Sequence, residues 1–216
     1  MKKNKILINI ENLNEIEEYK KIGYNNFLFA VNDFSIGYKS FSLEELKELD
    51  CNKFLLINRI FNNEDVDRFK EIISILKYFD GIIFEDIAVY NLLKDKNIKL
   101  IWNQTHFATN TSSINYWLEL VSSAVISNEL TKEEVKDIID SANKPLVLNI
   151  FGKNPIMYSR RTLLSNFNKN FKLNNNRKAI LSENITKCEF EAIESDKVTF
   201  ILNNKYFNLI SYINEF

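Results

Sequence analysis

Short runs of apolar, β-branched and aromatic residues recur along this chain, and longer stretches of helical period separate them. The runs are Ile6–Ile10, Asn26–Val31, Lys53–Asn58, Gly81–Phe84, Lys99–Trp102, Ala124–Ser127 and Leu146–Phe151. A strand covered on one face alternates apolar with polar residues, whereas a strand covered on both faces reads as a continuous apolar run, as in parallel sheets flanked by helices. The stretches between them, Leu13–Ile22, Ser42–Leu49, Glu64–Phe79, Ala88–Lys94, Ser112–Leu120 and Thr131–Ser141, supply those helices. Ser42-x-x-Glu45 and Thr131-x-x-Glu134 are capping boxes, in which hydroxyl and carboxylate satisfy orphan amides at a helix start. Alternation of this kind is the signature of βα repeats around a parallel sheet.

Beyond Arg161 the pattern changes. Asn166–Lys178 is polar and asparagine-rich and reads as a loop; Ala179–Ser182, Lys187–Ile193 and Lys197–Asn203 read as short strands, and Phe207–Asn214 as a last helix. Seven βα units and a late strand approach the eight of a closed barrel. The expectation is an α/β fold: a compact, irregular TIM-like (β/α) barrel with a small C-terminal β-hairpin segment. It forms a single domain over 1–216, with repeats over 1–161 and the polar loop, late strands and helix over 162–216.

Composition narrows the class. At 216 residues and 45% hydrophobic, the chain can bury one large core without metals or disulfides. Lys and Arg number 28 against 29 Asp and Glu, so net charge does not indicate a nucleic-acid partner. Cys51 and Cys188 are too few for a four-thiolate cluster or a disulfide framework, which points to a reducing, cytoplasmic compartment with neither metal nor cofactor. The basic start Met1–Lys5 precedes an apolar run too short for a signal peptide, and no stretch reaches membrane-spanning length. Neither GxGxxG nor GxxxxGK[ST] occurs.

In such a barrel the chemistry gathers just past the strands. Those positions hold Asn32 and Asp33, Asn58 and Arg59, Glu85 and Asp86, Asn103 and Gln104, Asn128 and Glu129, then Tyr158, Arg160 and Arg161. Acids, amides and a basic pair on one rim suit a polar or anionic small molecule or peptide. Glu85 and Glu129 are candidate acid–base groups, and His106, the only histidine, is a third. Helix capping is the competing role for Asp86 and Asn128, and a loop position the competing role for His106, since no nucleophile elbow stands near it. The many Phe and Tyr residues fit core packing better than base stacking.

Three stretches at these strand ends resemble the collagenase-like peptidase family U32. Trp102-Asn103-Gln104-Thr105-His106-Phe107-Ala108-Thr109-Asn110 is similar to the family's Thr-Gln-Met-x-x-x-Asn strand end, with Gln104 and Asn110 matching. Ala124–Val135 is similar to Val-Val-Leu-Ser-Arg-Glu-Leu-Ser-Leu-Glu-Glu-Ile, with Asn128 in place of Arg. Phe151-Gly152 followed by Pro155–Thr162 looks like the signature around Tyr-Ser-x-Arg-Cys, with Thr162 where the family has cysteine. The resemblance implies ligand-binding roles for Gln104, Asn110, Tyr158, Arg160 and Arg161. By family label it implies a protease or hydrolase, here without an iron–sulfur cluster. The alternative it implies is a non-catalytic or partner subunit of a U32-type hydroxylase acting on RNA bases or a quinone precursor, working with a cysteine-containing family member.

Overall fold

The computed structural model describes residues 5–104, 106–195 and 198–216. Thr105 of the strand-end motif, Lys197 at the start of an expected strand, and Met1–Asn4 of the basic N-terminus lie outside the described residues. The chain divides into two compact units, Met1–Leu148 and Asn149–Phe216.

The first unit is a curled, wholly parallel sheet with helices between its strands. In chain order its elements are β1 (Ile8–Asn9), α1 (Ile16–Lys21), β2 (Asn26–Val31), β3 (Ser40–Phe41), α2 (Leu43–Lys47), β4 (Asn52–Ile57), α3 (Asn63–Ile72), β5 (Gly81–Phe84), α4 (Ile87–Leu93), β6 (Leu100–Trp102), α5 (Thr111–Leu120), β7 (Ser123–Val125), α6 (Lys132–Ser141) and β8 (Leu146–Val147). The strands pair in the order β1-β2-β4-β5-β6-β7-β8, with β3 beside β2. This is the TIM-like (β/α) architecture the hydrophobic runs predict.

Parity along the strands explains both the packing and the rim. Leu56, Ile83, Ile101 and Val125, one from each of four consecutive strands, form a buried layer joined by Leu7, Leu28, Phe54 and Val147. Their odd–even neighbours Phe27, Phe29, Leu55, Ile57, Ile82 and Phe84 are fully buried on the other face. Burial on both faces is why these strands read as unbroken apolar runs. Gly81 is required by close approach: a Cβ there would stand 2.9 Å from the Phe54 ring and 3.3 Å from the Lys99 carbonyl. Both expected capping boxes form, and a third, Asn62 with Asp65, opens α3.

The second unit is antiparallel: β9 (Phe151–Ser159), α7 (Leu163–Asn170), β10 (Lys178–Ser182), β11 (Glu189–Ser195) and β12 (Val198–Asn208), ordered β10-β11-β12-β9. Three sequence expectations are corrected here. The run Leu146–Phe151 is not one strand: β8 ends at Val147, and Phe151 begins β9, whose partner is β12. The Asn166–Lys178 stretch is not all loop, because α7 reaches Asn170; Glu194 accepts hydrogen bonds from the Ser165 amide (3.0 Å) and the Ser165 hydroxyl, tying the helix to β11. The expected helix Phe207–Asn214 starts as strand, because Tyr206, Phe207 and Asn208 pair with Lys153, Gly152 and Phe151; only a 3-10 turn, Ile210–Glu215, follows.

Candidate functional site

All parallel strands end on the same rim, and parity decides which rim residues turn inward. Glu85 continues the face of Ile83, and Asn103 that of Ile101, so the two meet: Asn103 Nδ2 donates to Glu85 Oε1 at 3.1 Å. Gln104 Nε2 donates to the Glu85 carbonyl at 2.8 Å, and its own carbonyl accepts from the Phe107 and Ala108 amides. Burial pushes the Glu85 carboxyl up to about 8, so it holds its proton at neutral pH. Burial, together with the neighbouring Glu85 and Glu11 carboxyls, raises the Tyr38 hydroxyl above its ordinary value. Asn9 and Asn103 each bury an Oδ1 that has no hydrogen-bond partner.

Other rim residues serve the scaffold. Asn58 is buried and bonds both the amide (2.9 Å) and the carbonyl (3.1 Å) of Ile36, pinning the loop that brings Tyr38 to the rim. Arg59 donates to the Asp33 carbonyl at 3.0 Å and lies 3.4 Å from the buried Asp65 carboxylate, which Arg68 also meets at 2.6 Å. Asp86 caps α4 through the Ala88 amide (2.8 Å) and takes the Phe61 amide on its other oxygen (2.7 Å). Asn110 caps α5 by accepting from the Ser113 amide at 2.9 Å.

Two candidates read separately from the sequence are in contact. His106 Nδ1 lies 2.8 Å from Glu129 Oε1, with both side chains about half exposed. Glu129 itself is positioned by its amide, which donates to Ser127 Oγ at 3.2 Å. The remaining three candidates lie in the second unit: Tyr158 is half-buried on β9 opposite Phe200, and Arg160 and Arg161 are exposed between β9 and α7.

Sequence reasoning missed the groove beside Glu85. It encloses about 780 Å³ between the starts of α4 and α5, lined by Ile60, Glu85, Asp86, Ile87, Trp102, Gln104, Phe107, Ser112, Ser113, Tyr116 and Trp117. Trp102 and Trp117 form its base, their rings stacked 4.7 Å apart at 14°. Ile87, Phe107 and Tyr116 stand at its edges, 52%, 67% and 62% exposed. The signal was present: residues 112, 113, 116 and 117 fall on one face of a helix that directly follows an aromatic-ended strand.

The cysteines do not fit an iron–sulfur cluster. Cys51 precedes β4 at the end of the sheet opposite the rim, and burial raises its thiol above the ordinary value, the wrong direction for a metal-binding thiolate. Cys188 is exposed in the second unit. Two thiols cannot replace four ligands.

A family model described as peptidase family U32 matches residues 11–216. A curated relative, the tRNA hydroxylation protein P2 of Bacillus subtilis (strain 168), is 25% identical over 119 residues. That stretch is 53% of this chain and 38% of the relative, so the match spans well under half of that protein's length. Among solved structures, a chitinase from Chromobacterium violaceum ATCC 12472 has a TM-score of 0.45 at 10% identity, covering 94% of this chain and 87% of that one. A sporulation-specific glycosylase from Bacillus subtilis has a TM-score of 0.32 at 9% identity, with 97% and 85% covered. Among the described residues no helix is long and apolar enough to cross a membrane.

Proposed function

The chain belongs to peptidase family U32, and on that premise we propose that it is a cluster-free partner domain in a tRNA base-hydroxylation system, acting in the cytoplasm. A cysteine-bearing family member carries the redox chemistry, and this chain contributes recognition. The observation that carries the reading is the character of the rim. It offers a protonated carboxyl, fixed amides and an aromatic groove, all of them binding groups, while the two cysteines belong to different units. The likeness to the tRNA hydroxylation protein supports the choice of system. Purification of the tagged chain from its source cell should bring down a cysteine-rich U32 protein, and deletion should lower hydroxylated nucleosides in digested tRNA. Unchanged tRNA nucleosides in the deletion strain would overturn the proposal.

One observation favours a second reading, hydrolysis. A histidine oriented by a carboxylate 2.8 Å away is two-thirds of a hydrolytic triad, and its free ring nitrogen can take a proton from water. Among the described residues no hydrogen bond joins His106 to a serine, threonine or cysteine, so the attacking group would be water itself. Cleavage of denatured collagen or a peptide library by the chain, lost in His106→Ala, would favour this reading.

A further inference from the structure

We propose that the groove between the starts of α4 and α5 binds an uncharged, flat heterocycle of the nucleobase type, held by its faces against aromatic side chains and by its edge against Gln104. The inference deepens the proposed function and rests on it for the source of the ring.

The lining selects the ligand by charge first. It contains no lysine, arginine or histidine among the described residues, so nothing in it holds a phosphate or carboxylate. Its one carboxylate, Asp86, has both oxygens engaged by the Phe61 and Ala88 amides and does not call for a cation. The Glu85 carboxyl turns away to the inner face, where it meets Asn103. A charged ligand would lose its water there without compensation.

Shape selects next. Phe107 and Tyr116 expose most of their surface beside the stacked Trp102 and Trp117, and Ile87 adds a third exposed apolar edge. Three large apolar side chains left in water around one concavity mark a binding surface rather than a random scatter. A flat ring covers such faces at little entropic cost, because base–aromatic stacking needs no internal ordering of the ligand. The volume of about 780 Å³ falls within the range of small-molecule sites.

Gln104 supplies the polar contact at the groove. Its Nε2 is committed to the Glu85 carbonyl, which leaves Oε1 as an acceptor for a ring N–H.

The test uses the fact that Trp102 and Trp117 are the only tryptophans in the chain, so indole emission reports this groove alone. Titration with uridine, cytidine, adenosine and guanosine should give a saturable emission change for at least one. Phe107→Ala and Tyr116→Ala, both exposed and harmless to the fold, should each weaken it about tenfold. Gln104→Leu, which removes the acceptor and adds no charge, should weaken it as well. No saturable change with any nucleoside, or equal affinity in wild type and Phe107→Ala, would overturn the inference. So would tighter binding of a Phe- or Trp-bearing peptide, which would assign the groove to a protein partner. Failure here with lowered tRNA hydroxylation in the deletion strain would remove the ring site and leave the proposed function standing.

Discussion

The two units of this chain solve the folding problem with different materials. Residues 1–148 carry 18 Lys and Arg against 23 Asp and Glu, and residues 149–216 carry 10 against 6, so a near-neutral chain is an acidic unit followed by a basic one. Among the described residues, the buried hydrophobic ones of the second unit are Ala192, Val198, Phe200 and Leu202. That unit instead exposes Phe151, Met157, Phe167, Phe171, Ile185 and Tyr206. The first is held by apolar burial on both faces of its sheet, the second by its backbone ladder and a buried polar anchor, Glu194. The lesson is that overall net charge and composition average over two unlike surfaces.

The largest expected effect tests the contrast directly. Phe29 is fully buried, with the rings of Phe27 and Phe41 edge-on at 6.4 and 6.3 Å. Phe29→Ala should cost about 3–5 kcal/mol, the transfer term plus the cavity left behind. Phe171→Ala, at a side chain 65% exposed, should stay within about 0.5 kcal/mol. Urea unfolding followed by far-ultraviolet circular dichroism, which sees both units, measures the two variants on one scale, and equal losses would erase the distinction.

Next comes pH. The Glu85 carboxyl titrates near about 8 when folded and near about 4.3 when unfolded. Between those values the folded chain keeps a proton that the unfolded chain has released, so stability falls as pH rises through that window. At about 1.4 kcal/mol per pKa unit, the gap between the two values sets a fall of about 5 kcal/mol, nearly complete by about pH 9. Glu85→Gln should flatten the curve, and an unchanged slope in that variant would place the titration elsewhere.

The same contrast governs what the sequence makes legible. Strands β2 and β5 match the apolar runs residue for residue, because burial on both faces leaves no polar interruption to blur their ends. Strand β9 was invisible: it contains Gly152 and Pro155, exposes Ile156 and Met157, and exists because β12 pairs with it. Helix α7, rich in Asn and Ser, has weak intrinsic propensity and depends on Glu194 from a distant strand. At the rim, the strand-end rule singled out Glu85, Gln104, His106 and Glu129, and the contacts Asn103–Glu85 and His106–Glu129 are between neighbours it named. The aromatic groove escaped because Phe and Tyr residues were assigned to core packing, whereas Phe107 and Tyr116 stand exposed beside the buried Trp102. Asn110 illustrates the converse, since a motif residue can spend its side chain on the helix that follows it.

A smaller effect belongs to the anchor of the basic unit. Glu194 is buried and receives the Ser165 amide and hydroxyl, with Thr199 Oγ1 at 3.5 Å. Glu194→Ala strands those donors and should cost about 2 kcal/mol. Hydrogen exchange should show the loss in the amides of α7, while the tryptophan-detected midpoint of the other unit stays put. A global shift would mean the units unfold together.

The smallest expected effect carries the most information about chemistry. His106 and Glu129 form a pair that is about half exposed on each side. Ion pairs in that setting contribute about 0–1 kcal/mol, because water screens the attraction and two side chains must be ordered to make it. Glu129→Gln keeps the shape and a hydrogen-bonding oxygen and removes only the charge, so the melting point should not move. If the pair is part of a working site, that variant loses hydrolysis or tRNA hydroxylation while remaining as stable as the wild type. A pair that existed only to hold the rim together would show the reverse, full function with a lowered melting point.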